Sequence, residues 1–208
     1  MTSNDSKIAV SGGNDTDIND TQISGSDSNG DAESSQTLSA KKRVLRALLD
    51  VFVIGLLIVL DRYSKNLAVL KLKDKPSFII WDGVFELCYL ENRGAAFGIM
   101  QNMKYFFLAV AVIMIAFVLY ALIRLPADKK YILFEICLML IGAGAVGNMI
   151  DRLTTEYVVD FFYFVLINFP IFNVADIYVS LACILLIIGI MFVFKEDDMA
   201  FLKPGSNK

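Results

Sequence analysis

YILFEICLMLIGAGAVGNMI, residues 131–150, decides how this chain has to be read. Its 20 residues carry one formal charge, Glu135. A helix of that length rises about 30 Å, the thickness of a bilayer's hydrocarbon core. Two runs of 18 residues, Phe106–Ile123 and Ile177–Phe194, carry no charge at all. A fourth, Val44–Leu60, has 17 residues and is interrupted by Arg46 and Asp50. The expected fold is an α-helical membrane protein of four transmembrane helices. The first run follows Lys41-Lys42-Arg43 and could pass for a signal sequence. With no A-x-A-like site before DRYSK (61–65), it is read as a retained helix.

Composition agrees. The 208 residues are 56% apolar, above the ~45–50% of a soluble domain. There is no histidine, which excludes Ser/His/Asp and Cys/His catalysis and any His-liganded metal. Cys88, Cys137 and Cys183 form no CxxC pair and read as small apolar fillers. The net charge of −3 is uneven. Residues 1–40 hold seven acids (Asp5, Asp15, Asp17, Asp20, Asp27, Asp31, Glu33) against Lys7, a balance of −6; the rest holds 15 acids and 18 bases. That polar front buries too little to offset ordering and is expected to be a disordered tail. The membrane domain then covers 41–198, and 199–208 is a cytoplasmic C-terminal tail.

Four spans put both termini on one side and the 61–105 and 151–176 segments on the other. The terminal side has ten Lys and Arg (41, 42, 43, 46, 124, 129, 130, 195, 203, 208) and the other has eight (62, 65, 71, 73, 75, 93, 104, 152). The cluster ahead of the first run places both termini in the cytoplasm. Within 61–105, SFIIW (Ser77–Trp81) and VFELCYL (Val84–Leu90) flank Asp82-Gly83 and predict a β-hairpin, lying on the outer surface.

The polar residues gather where the apolar runs end. Asp61 and Lys65 close the first; Asn92 sits in ENRGAAFGI; Asn148, Asp151 and Arg152 close the third; Asn173 and Asp176 open the fourth. Asp160 lies in the apolar stretch VVDFFYFVLINF. Asn148 to Asp151 and Asn173 to Asp176 are i,i+3 pairs, so each pair shares a helix face. Asp160 and Asp176 can approach if 161–172 folds back. Two carboxylates in a poorly solvated site share a proton, the equipment for activating water against an amide. Alternatively these acids pair with Arg62, Lys65 and Arg152 as helix-end salt bridges.

Other patterns carry less. Gly142 to Gly147 spells GxGxxG, but inside a membrane helix it points to close helix packing rather than a dinucleotide site. Ser64 and Lys65 are adjacent, so they face ~100° apart on a helix and are poorly placed as a dyad. Asp50 and Glu135 line a pathway or pair between helices, the second being the expected reading. A proton-relaying transporter predicts polar residues spread through the bilayer depth. A helix-packing scaffold gives no reason for Asn/Asp pairs at both loop–helix junctions.

Five motifs in order, DRYSK (61–65), ENRGAAFG (91–98), GAVGNMIDR (144–152), VVDF (158–161) and FNVAD (172–176), resemble those of bacterial lipoprotein signal peptidase, signal peptidase II. The resemblance covers about residues 44–195. It implies a four-helix inner-membrane aspartyl endopeptidase that removes the signal peptide from diacylglyceryl-modified prolipoproteins, cutting before the lipidated cysteine. It implies Asp160 and Asp176 as the catalytic dyad. It implies that Asn92, Asn148, Arg152 and Asn173 contact substrate or order the site, supported by Asp61, Lys65 and Asp151. The hairpin would belong to an extracytoplasmic β-cradle. No cofactor or metal is expected; the partners are the diacylglyceryl-prolipoprotein substrates and membrane lipid, not nucleic acid, and the chain is expected to act as a monomer. Arg62 stands where the family pattern has Gln, and the 40-residue front lies outside the pattern.

Overall fold

The computed structural model describes residues 27–94 and 100–202. The expected disorder of residues 1–26, and Ala95 to Gly98 of the ENRGAAFG motif, lie outside the described residues. Contacts divide the chain into residues 1–42 and 43–208. In the first unit the described backbone is helical from Asp27 on, which differs from the expected unstructured tail. Once a helix is nucleated each added residue costs little, so a polar sequence can prolong it. All that follows concerns the second unit.

Helix α1 (Asp27–Leu72) runs past DRYSK, so Asp61 and Lys65 lie inside a helix rather than at its end. Helix α2 is Lys104–Arg124, α3 is Ile132–Thr154 after a 3-10 turn at Lys129–Tyr131, and α4 is Val174–Phe192. Three helical stretches are long and apolar enough to cross a membrane: Lys104–Arg124, Lys129–Thr154 and Val174–Phe192. Helix α1 is not among them, because Arg46, Asp50, Asp61, Arg62 and Lys65 interrupt it.

Helix α3 is the central one. In its apolar window 56% is buried, against 11% in α2 and 17% in α4. Small residues let its neighbours close in. A Cβ on Gly144 would lie 2.6 Å from the Ala175 carbonyl oxygen of α4, and one on Gly142 would lie 3.2 Å from Val118 of α2. The glycine run is therefore a packing device. Ile113, Ile123, Ile187 and Met191 point outward on α2 and α4, and such faces need a hydrocarbon surround.

Strands β1 (Phe78–Trp81) and β2 (Phe85–Asn92) form the expected hairpin, turning at Gly83 with φ +69°. A third strand joins them: β3 (Val158–Phe164) pairs antiparallel with β2. The stretch read only as an apolar run is thus sheet, and Asp160 is a strand residue. A register shift between Leu87 and Leu90 sets Leu90 opposite Asp160 and Asn92 opposite Val158. Because side chains alternate with period two, that single extra residue puts Asn92 on the face of Asp160.

Beyond β3 the chain passes a 3-10 turn (Val165–Ile167) and folds back. Phe172 N–H donates to the Phe162 carbonyl at 3.0 Å, and Phe162 N–H donates to the Phe172 carbonyl at 2.9 Å. The described C-terminal residues, up to Leu202, pack back on the helices. A 3-10 segment at Glu196–Leu202 returns to α3, and Phe201 is buried with Phe134, Tyr131 and Phe194. Of the cysteines only Cys137 fills the core; Cys88 is half-buried and Cys183 is exposed on α4, so these two are not fillers.

Candidate active site

Helix α4 begins with a capping box. The Asn173 side chain accepts from Asp176 N–H at 3.1 Å, and Asp176 Oδ2 accepts from Asn173 N–H at 3.1 Å. The i,i+3 spacing thus has a local cause, since both groups satisfy amides the helix start would leave open. Asn173 also donates through Nδ2 to Asp160 Oδ1 at 2.6 Å. One asparagine therefore bonds both acids, and the fold-back at Phe162 and Phe172 brings them within its reach.

Each carboxylate takes a second amide. Asn92 Nδ2 donates to Asp160 Oδ2 at 2.8 Å, and Asn148 Nδ2 donates to Asp176 Oδ1 at 2.9 Å. Neither acid forms an ion pair among the described residues. The salt-bridge alternative applies to the other two acids. Lys65 Nζ lies 2.8 Å from Asp61 Oδ2 and 2.7 Å from Asp151 Oδ2, and Arg62 pairs with Asp151 Oδ1. Lys65 also donates to Asn148 Oδ1 at 2.8 Å, and Asp61 Oδ1 accepts from the Ala175 N–H in the first turn of α4 at 3.0 Å. Ser64 donates to the Asp61 carbonyl oxygen, away from Lys65. Arg152 reaches the carbonyl oxygens of Asn148 and Gly94 at 3.3 and 3.4 Å, with its guanidinium 4.7 Å from the Phe107 ring centre.

Every sequence-predicted site residue is in this network: Asp61 and Lys65 from α1, Asn92 from β2, Asn148, Asp151 and Arg152 from α3, Asp160 from β3, Asn173 and Asp176 from α4. Burial, and then the nearby Asp176 charge, push the Asp160 carboxyl up from 3.8 to about 7, against its bonds from Asn92 and Asn173 and the Lys65 charge. The acids face a cavity of about 620 Å³. Its polar end is Asn92, Asn148, Arg152, Asp160 and Asp176; its apolar wall is Ile177, Leu181 and Ile184 down α4, closed by Phe169 to Phe172. That wall, the Ala175 amide and the Gly94 carbonyl were not found from sequence; Arg62 was named there as a salt-bridge partner, without its acid. Only the 177, 181, 184 spacing down the face below Asp176 gave a signal.

At the other end of the helices, Arg46 pairs with Glu135 and donates to the Pro126 carbonyl at 2.8 Å. Arg46 of α1 and Glu135 of α3 thus pair between helices, the expected reading for Glu135.

Fold and site together define a helical membrane protein with a paired-carboxylate centre where sheet meets helix. The sequence profile of the family described as Signal peptidase (SPase) II matches residues 53–192. The chain is 40% identical to the lipoprotein signal peptidase of Clostridium tetani (strain Massachusetts / E88) over 152 residues, 72% of this chain and 94% of that one. It is 40% identical to the lipoprotein signal peptidase of Clostridioides difficile (strain 630) over 145 residues, 70% of this chain and 96% of that one. A bacterial membrane enzyme solved in meso at 2.3 Å superposes with a TM-score of 0.61 at 27% identity, over 77% of this chain and 94% of the other. A second, solved in meso at 1.9 Å, gives 0.60 at 30% identity, over 70% and 94%. The chain belongs to the signal peptidase II family.

Proposed function

We propose that this protein removes the signal peptide from diacylglyceryl-modified prolipoproteins, cutting before the lipidated cysteine, with Asp160 and Asp176 as an aspartyl dyad. The observation that carries the mechanism is that these two acids are held by neutral amides. The nearby cations are held elsewhere, Lys65 and Arg62 on Asp61 and Asp151 and Arg152 on the carbonyl oxygens of Asn148 and Gly94. An acid bonded only by amides can exchange a proton; one locked to a cation at close range cannot do so cheaply.

Asp176, capped into the start of α4, takes a proton from water as the water oxygen attacks the scissile carbonyl carbon. Asp160, whose carboxyl holds its proton to about pH 7, gives that proton to the carbonyl oxygen. The tetrahedral diol then collapses. Its hydroxyl proton returns to Asp160, the proton on Asp176 passes to the leaving nitrogen, and the C–N bond breaks. The products are the free amine of the lipidated cysteine and a peptide carboxylic acid, which then gives its proton to water. The apolar wall of the cleft suits acyl chains and the apolar signal segment. The test is cleavage of a diacylglyceryl-modified prolipoprotein by the purified protein in detergent. A folded Asp160→Asn or Asp176→Asn protein with near-wild-type turnover overturns the dyad.

In the same reading α1 is a fourth span, both termini are cytoplasmic, and the sheet and dyad lie at the outer face, the sheet forming a cradle. Two facts support it. The 44–60 segment exposes an apolar band including Val51, Phe52 and Val59, and Arg46 is turned to Glu135 of α3. A lipidated signal peptide also presents its cleavage site at the outer leaflet. Single cysteines are placed in 61–105 and in 125–130 on a background lacking Cys88, Cys137 and Cys183. A membrane-impermeant thiol reagent on intact cells should label the first set only. Labelling of 125–130 inverts the topology.

A further inference from the structure

Asn148 can hold Asp176 only in one orientation of its amide. Its Oδ1 is occupied by Lys65 at 2.8 Å and by Asn173 Nδ2 at 3.4 Å, so Nδ2 is the end left for Asp176. Lys65 in turn is shared. Its ammonium, 1% exposed, is the sole partner among the described residues of two buried carboxylate oxygens, Asp61 Oδ2 and Asp151 Oδ2. Asp151 would pull that ammonium to itself were its charge not answered elsewhere. Arg62 answers it, pairing with Asp151 Oδ1 from a partly exposed position on α1. The buried cluster then sums to zero: Asp61 and Asp151 against Lys65 and Arg62.

We propose that Arg62 is a positioning residue for the reaction: by neutralising Asp151 it keeps Lys65 on Asn148, and so keeps the Asn148 amide on Asp176. It touches neither acid of the dyad and acts through three side chains. The inference rests on the dyad reading above. The charged and titratable groups around the two acids are Lys65 and Asp61 of α1, Cys88 of β2, Asp151 and Arg152 of α3, and Tyr178 of α4. Behind these, Arg62 faces Asp151.

Charge balance supplies the test. Arg62→Gln leaves the cluster at −1, which favours the protonated dyad, so the alkaline limb of kcat should move up by about half a pH unit. At neutral pH kcat should fall about tenfold with KM little changed, because an orienting contact is loosened and no substrate contact is lost. Arg62→Lys should restore both. Asp151→Asn leaves the cluster at +1 and should move the limb down. The double variant Arg62→Gln/Asp151→Asn, back at zero, should return it. A merely structural role predicts less folded protein and an unmoved limb. If Arg62→Gln does not accumulate, Asp151→Asn and the double variant still differ only at residue 62 and must show different limbs. An Arg62→Gln limb at the wild-type position, or a shift in the same direction in both single variants, overturns the assignment. Asp160→Asn run alongside separates the failures. Turnover by that control removes the dyad itself, whereas an inactive control with an unmoved Arg62→Gln limb removes only the role of Arg62.

Discussion

The two ends of the helices solve the problem of a buried acid in opposite ways. Around Glu135 a cation is brought directly to the carboxylate: Arg46 reaches it from α1 and fixes itself on the Pro126 carbonyl, and the neighbouring turn is sealed by Phe194 and Phe201. Around Asp160 and Asp176 the cations stop one step short, on Asp61 and Asp151, and asparagines make the contact. The first arrangement ties its acid to a neighbouring helix. The second leaves two acids titratable against a cavity. Proximity to positive charge is therefore not what separates a structural acid from a reactive one; the identity of the atom that touches it is.

The comparison breaks most sharply at the dyad. Asp160→Asn and Asp176→Asn should each lower turnover by on the order of 10³-fold or more while the protein stays folded, since an amide keeps the shape and cannot exchange the proton. Glu135→Gln, the matching change at the other end, should leave turnover within about twofold. A thousandfold loss in that control, measured in the same prolipoprotein assay, would erase the distinction.

Next come the cations. Lys65→Met takes the cation from two fully buried carboxylates and should destabilise the protein by about 3–5 kcal/mol, whereas Arg46→Met, at a partly exposed pair, should cost less. Thermal unfolding in detergent ranks them, and equal losses contradict the one-step-removed description. Phe201→Ala, which opens the aromatic seal, should cost about 3 kcal/mol with kcat unchanged.

The pH dependence sharpens the same contrast. If the proposed dyad works with one proton, which Asp160 keeps up to about pH 7, turnover should fall as pH rises through about 7. The folded protein also binds this proton more tightly than the unfolded chain, where the value is 3.8. Its contribution to stability is then full below about pH 4 and is lost as pH climbs to about 7. Asp160→Asn should flatten that slope. Smallest of all, deleting residues 2–40 should change turnover by less than about twofold. A truncated enzyme that inserts normally and no longer cleaves shows that the front takes part.

Much of the site was legible because its chemistry is local in sequence. Asn173 and Asp176 cap one helix start, and Asn148, Asp151 and Arg152 share one helix face, so spacing alone aligned them. The hairpin was legible from Asp82-Gly83. What escaped depends on contacts between distant segments. Nothing in VVDFFYF says that β2 is its partner, and the register shift that turns Asn92 toward Asp160 exists only once the strands pair. The split of four acids into two paired and two amide-held was open from sequence, because Lys65 could have gone to any of them. Phe201 read as tail because its partners, Phe134 and Tyr131, lie some seventy residues earlier.

The Phe162–Phe172 pairing has a consequence for how such a protein can diversify. It fastens the chain immediately after Asp160 and immediately before Asn173, so the two strands of the clasp, and not the loop between them, set the distance separating the acids. Residues 165–171 lie between these two points, and Phe169, Pro170 and Ile171 close one side of the cleft. Lengthening, shortening or replacing them remodels the aperture and leaves the reactive spacing untouched. Grafting such loops between relatives should exchange preferences for cargo without retuning the hydrolysis, a modular division between what is admitted and what is done to it.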